Sequence, residues 1–290
     1  MKRVAIVIVL MVAINTSYSE VKAQDADSVL YRIEMKNGNI FIGVILLEND
    51  EIIRLKTSEL GEIELQKVHI VRRTKIDGDR LRNGEYWSEN SHATRYLFGT
   101  NGIGLKKGRG YYQNTWVLFN NVNYGITDNF SLGGGLIPVF LFGAPGSPVW
   151  IIPKVSTSFS EDLHFAIGGL FGGVLGEDDN FGLGLAYGVL SYGNPDHNLT
   201  FGLGFGYADG EWSDIPLITL SAMTRIKEKF YLISENYFIS SSGSSVGLLS
   251  MALRWSLESF AVDFGLVRPT DVGGGFIGAP WLGVSIPFGN

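Results

Sequence analysis

Along much of this chain, aromatic or aliphatic residues alternate with glycine in stretches of strand length, most plainly in Phe201-Gly202-Leu203-Gly204-Phe205-Gly206-Tyr207. A period of two sets Phe201, Leu203, Phe205 and Tyr207 on one face of a strand and the glycines on the other. Phe181-Gly182-Leu183-Gly184-Leu185-Ala186-Tyr187-Gly188 carries a similar alternation one hairpin earlier. It predicts Gly182 and Gly184 on the same inner face as Gly202, Gly204 and Gly206. An apolar face repeated over so many strands is too continuous for one small aqueous core, and lipid is the better solvent for it.

The first residues carry an export pattern. Lys2 and Arg3 precede an apolar run from Val4 to Ile14, a polar stretch from Asn15 to Glu20, and Val21-Lys22-Ala23. This order reads as a signal peptide over residues 1–23. The apolar run is shorter than the ~20 residues a spanning helix needs, so any anchoring must come from strands. Cysteine is absent, which excludes disulfides, thiolate metal sites, a Cys nucleophile and lipid acylation at Cys. Glycine numbers 38 against only 9 prolines in 290 residues, and the glycines fall inside periodic segments, which favours strands over linkers. With a formal charge of -6, the chain has no basic field to attract nucleic acid.

Residues 24–76 differ from the rest in being charged and poor in glycine. Tyr31 to Met35 and Ile40 to Leu46 flank an Asn37-Gly38 turn, the strongest short hairpin signal. Glu51 to Lys56, Glu62 to Gln66 and Val68 to Arg72 continue a meander. The Lys-Asn-Gly turn, Gly43, the acidic turn at Glu48 to Glu51 and the short final strand resemble the Sm-like and SH3-like small barrels. That resemblance covers about fifty residues and names no function, because the fold serves many. It implies a periplasmic module through which residues 28–76 would meet a protein partner. Residues 77–95 carry turn formers and charges and read as the join.

From Tyr96 to Asn290 the alternation predicts about twelve strands, the first at 96–105 and the second at 111–124, with short and longer connections alternating. This pattern resembles the outer-membrane β-barrel proteins, an antiparallel up-and-down transmembrane barrel. The resemblance implies a Gram-negative outer membrane, contact with lipid bilayer and lipopolysaccharide, and insertion by the outer-membrane assembly machinery through Leu282, Val284, Ile286 and Phe288. The chain departs from the commonest ending of the family in closing on Gly289-Asn290 instead of an aromatic residue. Trp116, Trp150, Trp212, Trp255 and Trp281 with Tyr111, Tyr112, Tyr192 and Tyr207 are candidates for interfacial girdles.

A two-residue turn at Glu258-Ser259 would pair Leu253 with Phe264 and Trp255 with Val262 on the lipid side. The same register sets Arg254 opposite Asp263 on the inner face. Odd residues of Leu217 to Arg225 facing inward would add Thr219, Ser221 and Arg225. The lumen-lining candidates are therefore Lys154, Arg225, Glu235, Arg254 and Asp263. They fit a charged constriction for small polar or ionic solutes, and equally a salt-bridged interior that holds a narrow barrel together.

No residue pattern calls for a cofactor. Gly99-Thr100-Asn101-Gly102-Ile103-Gly104 looks like a phosphate loop but lacks the Gly-Lys-Ser/Thr ending and precedes no helix. Glu177-Asp178-Asp179 lacks the ligand spacing of a calcium loop. His69, His92, His164 and His197 are the histidines available to an outer-leaflet lipid-modifying enzyme, and the expected topology puts them away from the external rim. The expectation is a narrow channel or passive solute pathway. The alternative is a non-conducting barrel that displays the N-terminal domain as an interaction module, and the third reading is the lipid-modifying enzyme.

Overall fold

The computed structural model describes residues 29–289 except 77, 83–84, 144–145, 177–181, 209, 242–243 and 274. The expected signal peptide, residues 1–23, and the Glu177-Asp178-Asp179 cluster lie outside the described residues. The chain divides between Tyr86 and Trp87 into two compact units.

The first unit is a meander of β1 (Leu30–Met35), β2 (Ile40–Glu48), β3 (Ile52–Thr57), β4 (Gly61–Gln66) and β5 (Ile70–Ile76). Gly38 supplies the left-handed conformation that the β1–β2 turn requires, with φ +85°. The strands form an open antiparallel sheet in the order β4-β3-β2-β1-β5. Ile33, Ile53, Leu55 and Leu65 make its core. A single 3-10 turn, Lys67–His69, joins β4 to β5, and β6 (Leu81–Arg82) and β7 (Glu85–Tyr86) form a small hairpin after it.

The second unit is a closed antiparallel barrel of twelve strands. They are β8 (Gly110–Thr115), β9 (Phe119–Gly125), β10 (Phe130–Leu136), β11 (Ser147–Ser158), β12 (Leu163–Leu175), β13 (Gly182–Gly193), β14 (His197–Ala208), β15 (Glu211–Lys227), β16 (Phe230–Ser241), β17 (Ser244–Ser256), β18 (Ala261–Pro269) and β19 (Ala279–Phe288). Pairing of β19 with β8, from Gly283 opposite Thr115 to Phe288 opposite Gly110, closes it and leaves no sheet edge exposed to lipid. Phe201, Leu203 and Phe205 on β14, Leu253 and Trp255 on β17, Phe264 on β18 and Leu282, Val284 and Ile286 on β19 are all exposed. Phe264 is 65% exposed. Such a surface suits a hydrocarbon solvent and not water.

The expected count of twelve holds, but two of its members are corrected. Residues 96–105 are not a strand. The expected strand 111–124 is two strands, β8 and β9, joined through Trp116 and Val117, which adopt φ 51° and 66°. Two non-glycine residues in the left-handed region give no sequence signal for a turn. The Asn114 amide donates to the Val117 carbonyl at 3.0 Å and Trp116 Nε1 to the Pro280 carbonyl at 2.8 Å, and both hold the turn. Strand pairing also runs further than the polar residues suggested: β15 begins at Glu211 and β17 at Ser244.

A second correction concerns β13. Leu185 pairs with Gly206, Tyr187 with Gly204 and Val189 with Gly202, so odd residues of β13 face inward, and Gly182 and Gly184 face outward. Gly202, Gly204 and Gly206 face inward as expected. The space at Gly202 and Gly204 is filled by their neighbours, while that at Gly206 stays open. A Cβ on Gly204 would lie 3.1 Å from Leu185 Cδ1, and one on Gly168 of β12 would lie 2.6 Å from Tyr187 Oη. The Tyr187 side chain thus occupies room that Gly168 and Gly204 provide.

Candidate functional site

Residues 87–109, at the start of the second unit, enter the barrel, turn, and leave again to begin β8. Asn90, His92, Ala93, Thr94, Arg95, Tyr96, Leu97, Asn101 and Leu105 are all buried. The deepest turn is closed by the Tyr96 N–H donating to the Gly99 carbonyl at 2.9 Å, beside an isolated bridge between Arg95 and Thr100. Tyr96 and Leu97 pack against Met223, Tyr231, Ile233, Ala252, Val267 and Trp281 of the wall.

All five lumen candidates bind this segment. Arg225 Nη1 donates to the Ser88 carbonyl at 2.8 Å and to Asp196 at 3.1 Å, and its guanidinium stacks over Trp87. Lys154 Nζ donates to the Ile103 carbonyl at 2.8 Å. Glu235 accepts the backbone N–H groups of Leu97, Phe98 and Gly99 at 2.6, 3.0 and 2.9 Å and the Tyr237 hydroxyl. Arg254 reaches the His92 and Tyr96 carbonyls. Asp263 accepts from Arg254 and, at 3.1 Å, from Arg95 Nη1.

The wall supplies neutral partners as well. Asn90 donates to the Pro195 carbonyl at 2.8 Å, Tyr96 Oη to Asn198 Oδ1 at 2.7 Å, and the Gly102 N–H to Ser191 Oγ at 2.7 Å. Buried backbone groups outside a helix or sheet need such partners, because each one left unmade costs ~1 to 3 kcal/mol. The inner charges therefore act as a surrogate ladder for an irregular segment, not as a free lining for water.

The glycine-rich run Gly99 to Gly104 belongs to this segment. A Cβ on Gly99 would lie 2.8 Å from Tyr237 Oη, one on Gly104 2.5 Å from Ser156 Oγ, and one on Gly102 within the His164 carbonyl. These glycines let backbone approach the wall, the physical role behind a pattern that superficially resembles a phosphate loop. Arg95 and Tyr96 were missed from sequence as site residues. The available signal was the break in alternation after Ala93, where glycine, Asn101 and buried aromatics occur without period.

Several expected girdle residues point inward instead. Tyr111 and Trp281 are buried, and Trp150 Nε1 donates to Asn121 Oδ1 at 3.2 Å. Trp116, Trp212, Trp255 and Tyr192 are exposed. Of the histidines, His69 lies in the first unit's 3-10 turn. His92 sits 3.4 Å from Ser285 Oγ inside the barrel, and His197 Nδ1 lies 2.8 Å from Thr224 Oγ1. His164 Nδ1 meets Ser158 Oγ at 2.7 Å, and its Nε2 meets the Gly193 carbonyl at 3.1 Å. That pair has a carbonyl where a triad would place a carboxylate. Among the described residues no His, Asp and Glu cluster could hold a metal ion.

Fold and site define a twelve-stranded antiparallel transmembrane barrel whose lumen holds a segment of its own chain. No protein-family model matches the chain, and no curated protein matches it. Among solved structures it is similar to a KdgM porin in complex with disordered oligogalacturonate, at 6% identity and TM-score 0.45, over 63% of this chain and 98% of that one. It is also similar to the outer-membrane expressed OmpT of Vibrio cholerae, at 13% identity and TM-score 0.32, over 93% of this chain and 99% of that one. Likenesses this distant carry no functional argument.

Proposed function

We propose that this chain is an outer-membrane barrel that is closed in the state described, and that it presents residues 29–86 in the periplasm as an interaction module. The observation that carries this reading is that Lys154, Arg225, Glu235, Arg254 and Asp263 all bind residues 88–103. A solute pathway needs such charges free to meet ions and water. In the first unit, the five-strand order with a 3-10 turn before β5 supports the Sm-like or SH3-like reading.

The channel reading survives in a gated form, and one observation favours it. Much of the contact between segment and wall is made of hydrogen bonds and ion pairs, which water can replace if the segment withdraws. The passage so uncovered would be lined by those same five side chains.

Planar-bilayer recording of the full chain, refolded and shown to be inserted, tests both. The closed reading expects silence from the wild type. Because the chain has no cysteine, a disulfide engineered between the segment and the wall can serve as a clean control. Steady conductance in the wild type, unchanged by that crosslink, would sink the closed reading.

A further inference from the structure

Between the inserted segment and the wall of β9 to β13 lies a cavity of about 40 Å³, lined in part by Arg95, Asn123, Ser131, Lys154 and Tyr187. A water needs roughly 10–15 Å³ of such space, so there is room for one halide-sized ion with a water beside it. Three polar atoms of these residues are buried without a hydrogen-bond partner: Arg95 Nε, Asn123 Nδ2 and Tyr187 Oη. The first two only donate, and the third can. Lys154 has one N–H engaged with the Ile103 carbonyl and two more to place.

The charge balance points the same way. Among the described residues, the buried cations are Arg95, Lys154, Arg225 and Arg254, and the buried carboxylates are Glu235 and Asp263. Arg225 pairs with the less buried Asp196. Arg95 and Arg254 share Asp263. Glu235 is taken up by three backbone N–H groups, and no carboxylate of the described residues forms an ion pair with Lys154. A buried amine with no carboxylate partner is costly to charge, and this one stands beside unused donors and a partly open cavity.

We propose that the cavity beside Lys154 is a binding site for a small monovalent anion of halide size, which locks the inserted segment against the barrel wall. The anion would accept from Lys154 Nζ, Asn123 Nδ2 and Tyr187 Oη and supply the negative charge that this part of the interior lacks. The site stands whether or not the barrel conducts, since it needs only the segment in place.

The test uses bromide and chloride with the full chain in detergent. Crystals grown or soaked in sodium bromide are expected to show anomalous density in the cavity, within hydrogen-bonding reach of Lys154 Nζ. In solution, the unfolding midpoint should rise with chloride and not with gluconate at equal ionic strength, as linkage requires of a ligand that binds the folded state. Lys154→Met should erase the difference. If Lys154→Met does not fold, Tyr187→Phe keeps the ring and removes one donor, and it should weaken the apparent chloride affinity by about tenfold. A cavity without anomalous density would overturn the proposal. So would density at crystal concentration with no halide-specific shift in solution, which would mark an adventitious ion only.

Discussion

The Arg254 guanidinium forks onto the Asp263 carboxylate, Nε to Oδ1 at 2.6 Å and Nη2 to Oδ2 at 3.0 Å, across a directly opposed register pair of β17 and β18. Neither side chain is more than 2% exposed, and Arg95 joins the same carboxylate at 3.1 Å. One acid thus ties two wall strands and the inserted segment together.

Removing either arginine should therefore be expensive and not independent of the other. Arg254→Ala is expected to cost ~3 to 5 kcal/mol, because it breaks a buried pair and frees two carbonyls of the segment. In urea unfolding from detergent or vesicles, the loss for Arg95→Ala with Arg254→Ala should differ from the sum of the single losses by more than ~0.5 kcal/mol. Additive losses would show that Asp263 does not couple them.

Glu235→Gln keeps the shape of the side chain but removes the charge that gathers three N–H groups at the segment's turn. Hydrogen bonds to a charged group contribute ~1.5 to 3 kcal/mol, so the barrel should remain folded while residues 97–99 loosen. Limited proteolysis should cut the variant within the segment and leave the wild type intact. Equal resistance would count against the carboxylate as the anchor.

Gly102→Ala asks for space where the His164 carbonyl stands. Backbone cannot yield as a side-chain tip can, so the expected cost is ~1 to 3 kcal/mol, falling on the seating of the segment. Conductance bursts in planar bilayers, absent from the wild type, are the expected sign. A silent variant of wild-type stability would show that the wall gives way.

At the β8–β9 turn, Val117 holds φ 66°, a conformation that a β-branched residue adopts only under strain. Val117→Gly should raise stability by about 1 kcal/mol, the relief of strain outweighing the added freedom of the unfolded chain. Equilibrium unfolding reads this directly, and a lower midpoint would contradict it.

Glu48, in the first unit, receives Lys67 Nζ at 2.8 Å and Arg73 Nη1 at 2.7 Å. The hydrogen bond from Lys67, then that from Arg73, holds its carboxyl below the ordinary value of 4.5. A depressed carboxyl contributes stability that is complete above its unfolded value and is lost as pH falls through its folded one. The effect is modest because the group is exposed to solvent. Protection factors of the β2 and β5 amides, corrected for the intrinsic exchange rate at each pH, should fall on acidification from about pH 5 to about pH 3, and Glu48→Gln should flatten that dependence. An unchanged profile would remove Glu48 from the account.

The register of the last hairpin was legible residue by residue. A short turn and a period of two leave one alignment that places Leu253, Trp255, Val262 and Phe264 together, and Arg254 opposite Asp263 follows from it. Tyr96 to Leu105 was misread because a barrel needs an even number of strands. The true extra strand was hidden at Trp116-Val117, where side-chain anchoring imposes a turn that neither residue favours. Gly182 and Gly184 went to the wrong face because alternation fixes which residues share a face but not which face is inside. In β13 that was decided by Tyr187 finding room beside Gly168 and Gly204.

What the sequence by itself determined is the solvent of the outer face and the strand class, since both rest on local periodicity and on the cost of bare backbone in lipid. It also determined which charged residues point inward once a register is known. What only the tertiary structure decided is what those charges meet. Residues 88–103 bind Lys154, Glu235, Arg254 and Asp263 across separations of 51 to 168 residues, and contacts that distant leave no period in the chain to be read.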